Sequence, residues 1–169
     1  MTQEDKQLLL VDICSRLPYG VIGVVEHYDE VDNSPADVLG TLQGFDNNSK
    51  GIKFVYLPEY TDDVGAYNWF SYIRFKPYLR PMSSMTPEER EDFWKNVLDI
   101  DWRESEFDEE PDEVPFPFTE NDCGFYIDNL YLTDLFAVID WFNEHHFDWR
   151  GLIPKGLAIS TDVFNPYKD

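Results

Sequence analysis

The residue types closest to a divalent-metal ligand set are His145, His146 and Asp148, grouped within one short stretch. Neighbouring residues on a helix diverge by about 100°, so both imidazoles do not easily reach one ion. The simpler expectation is one buried, hydrogen-bonded histidine and one exposed, partly cationic histidine at a helix end. His27 stands alone in a strand-like stretch and reads as structural. Thiol chemistry has two carriers, Cys14 and Cys123. A nucleophilic thiolate needs a base and an electropositive setting. Cys14 falls in an apolar helical pattern, where burial keeps a thiol protonated and inert, and no signature puts a histidine beside Cys123. Ser83 and Ser84, between Met82 and Met85, could offer hydroxyls to a ligand; bonding nearby backbone at a helix entry is the simpler use. With 34 Asp and Glu, chance carboxylate pairs are certain and single out no acid–base couple. The glycines are scattered, with no phosphate-cradling loop. The sequence thus points to no cofactor, no metal and no catalytic residue, and an unrecognised His/acid enzyme site ranks below a binding role.

Thirteen Lys and Arg against those 34 acids leave a net charge of −21. Duplex nucleic acid and anionic membrane surfaces bind through Lys and Arg, so neither is expected as a direct partner. A basic protein partner fits, as does plain solubility. Residues 99–122 hold eleven Asp or Glu and the single Arg103. Within them Glu106, Phe107, Asp108, Glu109, Glu110, Asp112 and Glu113 are the candidate interaction residues. Pro111, Pro115 and Pro117 interrupt regular structure, so an acidic, irregular excursion is expected. Arg74, Lys76, Arg80 and Arg150 form a basic minority expected to pair with carboxylates, an anion-binding pocket being the sharper alternative.

The elements that must position these groups are legible in outline. Thr2 and Asp5 form a capping box ahead of a helix over 3–16, with Leu9, Leu10, Ile13, Cys14 and Leu17 on its buried side and Pro18 as its stop. Residues 19–28 read as a strand. Val38–Phe45 and Ile52–Leu57 flank the turn signal Asp46-Asn47-Asn48-Ser49-Lys50-Gly51 and form a hairpin, with Gly40 and Gly44 marking bends or bulges. Trp69–Phe75 alternates as a fourth strand, and the prolines of 76–85 predict an extended, irregular segment. Thr86-Pro87-Glu88-Glu89 opens a helix that runs to Leu98. Gly124–Tyr131 reads as a short strand or lead-in. The strongest helix covers 133–146, capped by Thr133, with Leu135, Val138, Ile139 and Phe142 on one face and Gly151 at or soon after the stop. Leu157–Ser160 adds an edge strand, and the tail Asn165–Asp169 is expected to be loose.

Two stretches carry a resemblance. Arg74–Thr86, with the run Lys76-Pro77-Tyr78-Leu79-Arg80-Pro81-Met82-Ser83-Ser84-Met85-Thr86, resembles a signature of small acidic proteins from gut anaerobes and their mobile elements. Asp140–Ala158, from Asp140-Trp141-Phe142-Asn143-Glu144-His145-His146 to Pro154-Lys155-Gly156-Leu157-Ala158, is similar to a second signature of that uncharacterised family, and Glu4–Gly20 to its usual start. The resemblance covers about a third of the chain. It implies no activity and no catalytic residue, and it does not extend to 99–122.

The expected architecture is a single α+β domain over 1–169: four to five antiparallel strands curled into a small barrel-like sheet, packed with about three helices. A composition 43% hydrophobic and 17% aromatic can fill such a core. Two cysteines do not make a disulfide framework. The first residues lack the charged and apolar regions of a signal peptide, and no apolar run is long enough to span a membrane, so a cytoplasmic location is expected. The leading functional expectation is a non-enzymatic protein–protein interaction or regulatory protein whose acidic surface meets a basic partner; the resemblance implies encoding by a mobile element. The alternative is a mimic of nucleic-acid charge that blocks a DNA-binding protein. Oligomeric state is not readable from the sequence.

Overall fold

Thr2 and Asp5 start the chain as their types require. The Thr2 hydroxyl accepts from the Asp5 amide at 3.1 Å, and the Asp5 carboxylate accepts from the Thr2 amide at 2.9 Å. These bonds, the backbone one first, hold the Asp5 carboxyl below its ordinary range. Helix α1 (Gln3–Arg16) follows. Its buried residues are Leu9, Asp12, Ile13 and Arg16, one face at helical spacing. The expected face is therefore corrected: Cys14 is exposed, while Asp12 and Arg16 are fully buried. The reason is a self-neutralising pair, in which Arg16 Nε donates to Asp12 Oδ2 at 2.8 Å across one helical turn. Partial desolvation still pushes the Cys14 thiol up, against a smaller pull from Lys50.

The structure, a computed structural model, describes residues 1–28, 35–57, 65–98, 119–121, 124–126 and 135–168. The chain divides into two compact units, Met1–Arg80 with Leu152–Asp169, and Pro81–Gly151. In the first, β1 (Ile22–Tyr28), β2 (Pro35–Asp46), β3 (Gly51–Tyr56), β4 (Tyr67–Ser71), β5 (Phe75–Leu79) and β8 (Ile159–Ser160) form one mixed sheet in the order β4-β3-β2-β1-β5-β8. Antiparallel pairing holds throughout except for β5 and β8, which run parallel. The class is α+β as expected, but the sheet has six strands and is open, with β4 and β8 at opposite ends.

Three local corrections follow from backbone chemistry. The expected strand 69–75 is broken by a 3-10 turn at Tyr72–Arg74, which separates β4 from β5. The segment after it is not irregular: Pro77 lies inside β5, opposite Gly23, and β8 pairs only from Tyr78 onward, one residue past the proline. The tail is anchored, because the Tyr167 hydroxyl accepts from the Ile22 amide at 3.1 Å and donates to the Tyr78 carbonyl at 2.9 Å. Burial pushes that phenol far above its ordinary value.

The hairpin turn matches its signal. Asp46 accepts from the amides of Asn48 and Ser49 and from the Ser49 hydroxyl, the last bond being the largest cause of its depressed pKa. The bulge predicted from glycine sits between Leu42 and Gly44. The core joins Leu9 and Ile13 of α1 to Val21, Val25, Leu42, Ile52, Phe54, Phe70, Phe75 and Leu79, with Leu152, Leu157 and Ala158.

In the second unit, the Thr86 hydroxyl and Glu89 carboxylate close a second capping box, and α2 (Pro87–Asp92) runs on into a π turn, Phe93–Val97. The two-stranded ribbon β6 (Thr119–Asn121) and β7 (Gly124–Tyr126) precedes α3 (Leu135–Glu144). Residues 99–118 of the acidic excursion and the caps Thr133 and Asp134 lie outside the described residues.

Gly40 and Gly44 differ in a testable way. A Cβ on Gly40 would stand 2.3 Å from the Val55 carbonyl oxygen and 2.6 Å from the Phe54 ring; on Gly44 it meets only Lys53 Cβ at 3.4 Å. Gly40→Ala is expected to cost about 1–3 kcal/mol in denaturant unfolding, and Gly44→Ala less than about 0.5 kcal/mol. Equal costs would refute the packing account.

Candidate functional site

α3 carries an apolar stripe of Val138, Trp141 and Phe142, continued past its end by Phe147. These pack with Phe93, Met82 and Met85, and partly with Val97, Leu98 and Trp149. Phe93 stacks on Phe142 at 5.4 Å and meets Trp141 edge-on at 5.0 Å; Trp141 stacks on Phe147 at 5.7 Å. Such ring packing holds each side chain to one orientation.

Polar groups are attached to this aromatic frame. Trp141 Nε1 donates to Asp92 Oδ2 at 2.9 Å, and Asn96 Nδ2 donates to Asp92 Oδ1 at 2.7 Å. The indole bond is the larger cause, the Asn96 bond the next, that Asp92 is held ionised below the usual carboxylate range; the charge of His145 is a smaller contribution. His145 lies flat on Trp141 at 4.0 Å, with its Nδ1 2.9 Å from the Trp141 carbonyl oxygen. Behind them, fully buried Asn143 accepts from Trp149 Nε1 at 3.1 Å, and the Arg150 guanidinium covers the Trp149 ring at 3.9 Å.

The end of α3 explains the two histidines. The Phe147 amide bonds to the Phe142 carbonyl and the His146 amide to the Asn143 carbonyl. His146 has φ of 58°, so a histidine occupies the left-handed position that glycine usually fills in such a stop. Phe147 and Phe142 supply the accompanying apolar contact. The helix thus stops at His146, and Gly151 closes the next turn through Asp148.

The sequence-predicted residues are distributed as follows. His145 and His146 are both half-buried, and Asp148 is buried at 5% exposure. Their spacing does not bring them to one centre: among the described residues no three His, Cys, Asp or Glu are grouped to hold a metal ion. Ser84 donates to the Pro81 carbonyl, a local turn bond, and Ser83 is exposed. Arg74 and Lys76 are exposed, and among the described residues neither meets a carboxylate within ion-pair distance, unlike the carboxylate pairing expected of them. Glu106, Phe107, Asp108, Glu109, Glu110, Asp112, Glu113, Cys123 and the side chain of His27 lie outside the described residues.

Asp92, Asn96 and Asn143 were missed by the sequence reading. The usable signals were two helical pairs four residues apart, Asp92 with Asn96 and Trp141 with His145. Chemically, both Asp92 oxygens have neutral donors, and neither is bonded to His145. The cluster is therefore a braced carboxylate under an aromatic stack, not an oriented acid–base dyad. No helix of the described residues is long and apolar enough to cross a membrane. No family model, curated protein or solved structure matches the chain.

Trp141→Phe removes the indole donor and is expected to cost about 1–2 kcal/mol. Because the folded pKa of Asp92 is depressed, its contribution is present above the unfolded carboxyl pKa of about 3.9 and is lost as pH falls through the lower folded value. Acid unfolding of Trp141→Phe should therefore begin at higher pH; an unchanged acid limb would remove Asp92 from the account. At the helix stop, His146→Val should cost about 1–2 kcal/mol from left-handed strain, while His146→Gly is tolerated. Thermal melts of the two variants decide between strain and ring contacts.

Proposed function

We propose that this chain is a non-enzymatic interaction protein of the cytosol, in which an acidic region meets a basic protein partner. The observation that carries the reading is the uneven charge. Residues 81–151 hold twenty Asp or Glu against four Lys or Arg, a net of −16, and the remaining residues hold fourteen against nine, a net of −5. A field of one sign speeds encounter with an opposite partner and repels like-charged ones. The resemblance of 74–86 and 140–158 to small acidic proteins of gut anaerobes supports the same setting.

The test is affinity capture with the full chain in a salt series. A basic protein should be retained at about 0.05 M salt and released by about 0.5 M, where screening shortens to a few ångströms. A variant with Glu106, Asp108, Glu109, Glu110, Asp112 and Glu113 changed to their amides should lose that partner at low salt while melting at the same temperature. Equal retention by this variant, or capture insensitive to salt, would overturn the proposal.

A further inference from the structure

We propose that the outer edge of β4 is a docking edge for an extended acidic peptide, which adds to the sheet as a further strand. The backbone pattern comes first. The Tyr72 amide bonds to the Lys50 carbonyl and the Tyr56 amide to the Ala66 carbonyl, so 50/72 and 56/66 are hydrogen-bonded pairs of one register. Antiparallel pairs alternate, so 52/70 and 54/68 are bonded and Tyr67, Trp69 and Ser71 turn their amides and carbonyls away from β3. No strand among the described residues lies beyond β4. The Trp69 amide is instead met by the side chain of the residue before it, Asn68 Oδ1 at 2.8 Å. A single local acceptor thus stands where a partner strand would bond.

Side chains then select the partner. Tyr67, Trp69 and Ile73 are 56%, 50% and 42% exposed, a cluster of large apolar groups at this edge. Lys53, opposite Trp69 on β3, lies over the Tyr67 ring at 4.5 Å. Arg74, just past β4, is exposed, and neither cation meets a carboxylate within ion-pair distance among the described residues. Among the described residues these are two cations without an ion pair beside a strand edge, a charge that an acidic peptide complements. An incoming strand gains main-chain bonds from Tyr67, Trp69 and Ser71, and its acidic side chains reach Lys53 and Arg74. This surface shares no residue with the acidic region proposed above, so either proposal can fail alone.

The test is fluorescence anisotropy of a labelled, capped peptide alternating glutamate and valine, titrated with the full chain. Its control alternates glutamate and proline, keeping the carboxylates and removing alternate amides. The glutamate–valine peptide should bind at least about tenfold tighter than the control. Ser71→Pro should weaken it about fivefold, the size of one hydrogen bond; Ser71 already has φ of −64°, so proline fits without disturbing the ladder. Asn68→Ala should tighten binding by a similar factor, because the Trp69 amide is released. Lys53→Glu should weaken it. Should Ser71→Pro not fold, the peptide pair and Asn68→Ala still decide. Equal binding of both peptides, no binding of either, or no response to Ser71→Pro and Asn68→Ala would overturn the proposal. So would a lysine–valine peptide showing the same variant pattern, or sedimentation showing that the edge is filled by a second copy of the chain.

Discussion

Two aromatic rings lying over two opposed glycines set the geometry of the first unit. Gly23 and Gly40 face each other across β1 and β2. The Phe75 ring reaches within 2.5 Å of where a Gly23 Cβ would be, and the Phe54 ring within 2.6 Å of that of Gly40. Phe54 also meets Tyr56, Phe70 and Phe75 edge-on, at 5.8, 5.8 and 6.1 Å. Removing side chains at two backbone positions therefore lets one phenylalanine touch three other rings. The floor on which Leu9 and Ile13 of α1 rest depends on that approach, since close-packed interiors do not absorb an added methyl group without displacement.

The same helix face carries a fully buried ion pair. Asp12 and Arg16 are held together at 2.8 Å with no exposure of either side chain. Breaking such a pair by removing one partner leaves a charge buried without its counterpart, which costs far more than the pair contributes when intact. Its value is thus positional: it fixes which face of α1 turns inward. It also uses one of only thirteen cations on a structural task inside an acidic chain.

What was legible was local chemistry. Thr2 with Asp5, Thr86 with Glu89, and Asp46 with Asn48 and Ser49 each act over two or three residues, and each forms as its sequence implies. What was not legible depends on partners distant in sequence or on polar groups that cancel. The apolar row that Cys14 extends implies burial for it; the Asp12–Arg16 pair, polar by composition and neutral by geometry, takes the inward face instead. Pro77 is tolerated in β5 because β8 begins to pair only after it. The tail is held by one hydroxyl whose partners, Ile22 and Tyr78, are far away in sequence. The helix end near 146 and a glycine turn soon after it were legible; that His146 itself takes the left-handed position was not, because it is not a glycine. Of the expected stripe on α3, Val138 and Phe142 are buried, Ile139 is only half-buried and Trp141 turns inward instead; Asp92 was not visible, because an acid among 34 has no distinguishing mark until its donor is known.

Three carboxylates with depressed pKa, Asp5, Asp46 and Asp92, draw mainly on neutral donors: amides and hydroxyls of Thr2, Asn48 and Ser49, the Trp141 indole and the Asn96 amide. Hydrogen bonds from neutral dipoles stabilise the ionised form without cancelling its charge. An ion pair would do both. Acids steadied in this way keep their negative charge, and among the described residues neither Lys53 nor Arg74 meets a carboxylate within ion-pair distance.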